Sequence, residues 1–236
     1  MLKRLCIAAA ALALLSCAVP KPHPSAPPGG PQTPQTSATR LPPAGTYRID
    51  SSRSELRLLV YRAGALANLG HNHVILSRGV NGSIIVAPTL DASSFAFSVP
   101  VASFVIDDTQ ARGEEGEDFP GEIPDDAKSG TMKNMIGSGV LDSAKYPTIS
   151  VRSMRLEQLQ GTPTATLAVS VAGHESNVTV PFVLSDEPNG LSASASFELR
   201  QTALGMTPFS LMLGALAVRD AMQVKLKVSA QLQPPR

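Results

Sequence analysis

Cysteine is almost missing from this sequence. Only Cys6 and Cys17 occur, both near the start, so the rest of the chain can form no disulfide and needs a packed core for stability. Net charge is also nearly absent. The formal charge is +1, and losing Lys3 and Arg4 with residues 1–16 would move it to about −1, which leaves no basic footprint for nucleic acid. Long apolar runs are lacking too: Leu5–Leu15 spans eleven residues, against the ~20 that a membrane-crossing helix needs, and Pro20, Pro22 and Pro24 follow it. Catalytic patterns are missing as well. There is no Gly-x-Ser-x-Gly, no phosphate loop, no dinucleotide fingerprint and no nucleophile beside a base, so binding is a better reading than an enzyme, and no cofactor is implied.

What is present begins with a basic start, Lys3-Arg4, followed by the apolar Leu5–Leu15, the pattern of an export signal. The run ends in Leu14-Leu15-Ser16-Cys17, which resembles the bacterial lipobox. That resemblance implies removal of residues 1–16, acylation of Cys17 and attachment to a membrane through that lipid. Ala18 rather than Asp follows the cysteine, which points to the cell envelope and an outer membrane, on its periplasmic side. Residues 17–45 then read as a tether, because nine prolines fall between 18 and 44 among Ser, Thr, Gln and Gly, with little to bury. At about 3.1 Å per residue the 27 residues from 18 to 44 reach ~80 Å at most.

From 46 to 233 the dominant signal is alternation with period two. Leu56, Leu58 and Val60 alternate with polar neighbours, as do Phe95, Phe97, Val99 and Val101. The pattern returns at Ala165–Val171, Val178–Leu184, Leu191–Leu199 and Met222–Leu232. About eight antiparallel strands are expected, joined by turns such as 173–176 and 187–190, in a single all-β domain that is either a sandwich or a closed barrel. One helical window interrupts them. Pro124 is placed to open it, Met132, Met135 and Ile136 lie on one face, and three glycines weaken it.

Gly70-His71-Asn72-His73 is the densest cluster of functional side chains. Histidines at i and i+2 share a face in extended backbone and could reach one polar group or one metal, but two ligands do not make a metal site, and His174 is far along the chain. Residues 113–126 carry seven carboxylates whose spacing fits no calcium loop, so a solvated acidic loop is expected there.

Several blocks, in order, resemble the YceI-like family across the whole body. They are Tyr47-Arg48-Ile49-Asp50 with Ser54, Leu141-Asp142-Ser143-Ala144-Lys145-Tyr146-Pro147, the 171–181 hairpin, Arg200 with Gly205, and Val218-Arg219-Asp220. The resemblance implies an extended antiparallel barrel, similar to lipocalins, whose apolar lumen binds a polyisoprenoid such as a quinone or polyprenyl tail. On that reading Phe95, Phe97, Phe182, Phe197 and Leu226 are ligand-binding wall residues, His71 and His73 cap the polar head, and small inward residues such as Ala165, Ala193 and Ala195 leave room. A dimer is compatible with it. Two departures stand out: the acidic insertion, and Thr131-Met132-Lys133-Asn134-Met135 where many relatives carry other motifs. The alternatives are an envelope interaction module working through loops 107–126, and a metal-binding protein using His71 and His73.

Overall fold

The computed structural model describes residues 40–234. The expected signal segment, Cys17 and most of the tether lie outside the described residues. Two short strands, β1 (Gly45–Ile49) and β2 (Glu55–Val60), open the body, and a minor strand β3 (Arg62–Ala63) follows them. Next come β4 (His73–Ser77), β5 (Asn81–Val86), β6 (Ser94–Pro100) and β7 (Phe104–Ile106). Helices α1 (Thr109–Gly113) and α2 (Asp125–Ile136) precede a long meander of β8 (Thr148–Leu159), β9 (Thr162–Val171), β10 (His174–Pro181), β11 (Val183–Glu187) and β12 (Gly190–Arg200). Minor strands β13 (Ser210–Leu211) and β14 (Leu216–Val218) lead to the last, β15 (Ala221–Leu232).

These pieces fuse into eight antiparallel positions. β15 carries β12 along one edge and both β2 and β1 along the other, at Gln223–Lys227 and Ala230–Leu232 respectively, so β1 and β2 are halves of one bent strand. β5 and β4 pair with those same halves in order, and β6 and β7 continue the pattern. At the other side β10 pairs with β9, the Phe182 N–H still donates to the Pro163 carbonyl at 2.9 Å, and β11 then pairs with β12. The ladder therefore returns on itself through Phe182. The result is an up-and-down barrel with lipocalin-like architecture, and closure leaves no long edge to aggregate.

Polar side chains set the three aligned bends. Asp50 accepts from the Ser52 N–H to cap the turn between β1 and β2, and the Ser54 hydroxyl bonds the Asp50 carbonyl at 2.8 Å while accepting from the Ser229 N–H at 3.0 Å. At the same level in the ladder, Ser77 and Ser103 share a hydrogen bond of 2.7 Å across the breaks in the next two strands. Gly79 is required there, because a Cβ would stand 2.5 Å from the Ser103 hydroxyl.

The inward residues are those the alternation picks out, from Leu56 and Leu58 round to Met222 and Val224. One bulge breaks the phase. Between Ser153 and Arg155 the β8 register shifts, leaving the exposed Met154 as the extra residue and turning Arg155 out and Leu156 in. The expected turn at 173–176 is tighter than its sequence suggests: Ala172 and Gly173 alone form it, with φ of 49° and 80°, and His174 already begins β10. Gly173 is doubly constrained, since a Cβ there would lie 2.5 Å from the Tyr146 ring. Gly173→Ala should accordingly cost about 1–3 kcal/mol in a denaturant melt; a neutral result would mean that Tyr146 swings away freely.

α2 starts after Pro124 and stops before Gly137, inside the expected window. A second, shorter helix, α1, was not expected. Asp108 nucleates it by accepting from the Ala111 N–H at 2.9 Å. The acidic stretch is also more ordered than a solvated loop. Phe119 and Ile123 are buried, and Glu115, only 3% exposed at its side chain, bridges Arg57 and Lys225 on the outer barrel wall. Burial opposes the Arg57 charge, but hydrogen bonds to Glu115, Glu55 and Glu114 outweigh it and raise its pKa. Opposite charges recover, by pairing, the solvation that packing removes.

Candidate functional site

The barrel encloses a cavity of about 490 Å³, within the ~300–1,000 Å³ typical of small-ligand sites. Its wall is aliphatic and phenylalanine-rich. Phe95, Phe97, Phe182, Phe197 and Leu226 all line it, and Phe95 and Phe97, two apart on β6, stack with centroids 6.0 Å apart. Ala165, Ala193 and Ala195 line it as well, and their small side chains leave space that Leu or Phe would fill. Phe182 sits where the chain changes partner from β9 to β12.

Polar groups gather at one end. Arg62, His71, His73, Thr131, Asn134 and Gln201 line the cavity where β2 ends and β4 begins, and Ser93 and Ser194 are the other polar lining residues among those described. α2 contributes Ala127, Thr131, Asn134 and Met135, whose spacing places them on a single helix face. The two histidine rings lie 6.2 Å apart, edge to face, as the extended reading of the motif requires. His174 lies elsewhere, against Gly205. Among the described residues no group of three His, Cys, Asp or Glu side chains is placed to hold a metal ion.

His73 is held by a buried network. Its Nδ1 lies 2.6 Å from Asp107 Oδ2, and its Nε2 faces the Thr131 hydroxyl at 3.3 Å. The other Asp107 oxygen accepts from the Val74 N–H at 2.9 Å and from Arg112 at 2.8 Å. Arg112 is itself buried, donating to the carbonyls of Asn72, Gly121 and Pro120 and stacking over Phe119. Burial is the largest influence on Asp107 and disfavours its charge. The hydrogen bonds from His73 and the Val74 N–H, with the charges of His73 and Arg112, overcome it and hold the pKa below the usual carboxylate range. A carboxylate fixed on Nδ1 turns Nε2 toward the Thr131 hydroxyl on the cavity lining, a contact that a ligand's hydroxyl or carbonyl head would share or replace.

Asp107 and Arg112 do not stand out in the sequence. Asp is normally exposed, and nothing local marks this one as buried at φ +52°. The available signal was Asp108 as a helix cap with Arg112 one turn later.

A closed antiparallel barrel around an apolar cavity with a polar end defines a lipocalin-like binding protein. The chain belongs to the YceI-like family: that family's domain model matches residues 47–230. No curated protein matches the sequence. Among solved structures, BcnA of Burkholderia cenocepacia is similar at 14% identity, with a TM-score of 0.58 over 78% of this chain and 99% of that one. A mutant CJ YCEI protein made for nanotechnology applications is similar at 10% identity and a TM-score of 0.50, over 68% of this chain and 85% of that one. These likenesses support the fold.

Proposed function

We propose that the protein is a carrier or sequestering protein of the cell envelope, tethered through Cys17 at an outer membrane, that binds a polyisoprenoid or similar amphiphile in the barrel. The observation that carries this reading is the apolar cavity with its polar side chains at one end. The wall supplies the driving force. At about 0.8 kcal/mol per buried CH₂, a few isoprene units reach the ~8 kcal/mol of micromolar binding. His73, oriented by Asp107, meets the head group, and His71 stands beside it.

Organic extraction of protein purified from its own membranes, followed by mass spectrometry, tests the proposal. A stoichiometric prenyl lipid is expected; its absence, with no thermal shift on adding quinone or polyprenol, would overturn the carrier role. His73→Phe separates head from tail. It should weaken a polyprenol about tenfold, or ~1.4 kcal/mol, and leave a matched hydrocarbon unchanged in the same fluorescence titration.

A further inference from the structure

The end of the barrel that bears the polar residues also has an outer surface unlike the rest. Two segments build it, 63–70 and 201–218, and neither contains an Asp, Glu, Lys or Arg, in a chain where such residues make up 17%. They pack on each other. β14 pairs with β3 and β13, the Leu66 N–H donates to the Ala215 carbonyl at 2.7 Å, and a Cβ at Gly64 would stand 2.4 Å from the carbonyls of Gly214 and Ala215.

Their crest is apolar and exposed. Leu69 is 68% exposed, Met212 69% and Leu213 108%, and Leu211 is exposed beside them. Met212 and Leu213 both take left-handed backbone, with φ of 51° and 54°, an arrangement that costs free energy and holds the two side chains outward. In water alone that crest is doubly unfavourable. The inner side of the same loop, through Phe209, Leu211, Leu216 and Val218, is cavity wall.

Cations flank the uncharged segments. Arg62 precedes the first, and Arg200 and Arg219 bracket the second; all three are exposed, and Asp220, the nearest acid in sequence, bonds Thr202. Apolar tips on segments that begin or end at exposed arginines match the interface of an anionic bilayer, whose acyl region takes the tips and whose phosphates take the guanidinium groups.

We propose that this rim is a membrane-docking surface: Leu69, Leu211, Met212 and Leu213 enter the interfacial layer of an anionic phospholipid leaflet, bringing the polar end of the cavity against the lipid. The purpose of docking, ligand exchange with the leaflet, rests on the carrier reading above; the docking itself does not.

The chain has no tryptophan, so one introduced indole reports its own surroundings. Leu213→Trp in the full chain, reconstituted into phosphatidylethanolamine–phosphatidylglycerol vesicles containing bromolipid, should shift its emission to the blue and lose most of it to quenching. Val183→Trp, at a position 63% exposed on the barrel side, should do neither, and both should melt as the parent does. An indole at 213 that stays solvent-like on vesicle-bound protein overturns the proposal. So does a blue shift that needs no vesicles and grows with protein concentration, because a second copy would then cover the crest. Loss of prenyl-lipid binding with quenching intact would sink the carrier reading and leave docking standing.

Discussion

Asp107→Ala should lower folding stability by about 3–5 kcal/mol, because it leaves the buried Arg112 guanidinium without its counter-charge and frees the Val74 N–H. Urea or guanidinium melts measure this directly. A cost below about 1 kcal/mol would mean that water or a carbonyl replaces the carboxylate, and that the network does not hold His73. Asp107→Asn is the informative companion. Asparagine tolerates the same positive φ and can accept from the Val74 N–H, so what it loses is mainly charge. The acid dependence has a definite sign. The folded pKa of Asp107 is depressed, so its contribution is complete above the unfolded value of ~3.9 and is lost as pH falls through the lower, folded value. The parent should therefore lose stability on acidification below about pH 4, and Asp107→Asn should lose less of it over that window. Parallel curves for the two proteins would remove Asp107 from the account.

Ala195→Trp should abolish ligand binding while the protein stays folded. Ala195 points into the cavity opposite Leu226 on β15, next to Phe197 two residues on, so an indole there occupies the volume proposed for the lipid. The expected loss is at least about a hundredfold, or ~2.7 kcal/mol, with the melting temperature equal or higher because empty space is filled. Titration with polyprenol or quinone reads the first and differential scanning calorimetry the second. Unchanged affinity in a folded variant would place the ligand outside the barrel. A variant that melts lower yet still binds would show that the wall yields, and a cavity so soft could not discriminate by shape.

These two tests fall on either side of what alternation reveals. Ala195, Phe95, Phe97, Phe182, Phe197 and Leu226 were legible as wall residues because a strand has an exact period of two, so one apolar face names its own members. Closure was not legible. It depends on Phe182, where the chain leaves β9 for β12, and on the bends that Asp50, Ser54, Ser77 and Ser103 hold by contacts reaching as far as 175 residues along the chain. The β8 bulge escaped for a related reason: one added residue changes phase without changing composition, so Leu156 faces inward although the phase of Ile149 and Val151 would put it outside.

The polar end divides the same way. The sequence by itself determined that His71 and His73 share a face, since that follows from extended backbone alone, and the residues between 47 and 230 carried the family. Only the tertiary structure decided what holds His73, because Asp107 lies 34 residues along the chain, at the end of the strand paired with β4, and it and Arg112 occupy a buried place that composition would assign to apolar side chains. Local periodicity propagates through a few bonds and can be read along the chain. The pairing that makes a buried charge tolerable is between residues brought together in space, and only the closed barrel supplies it.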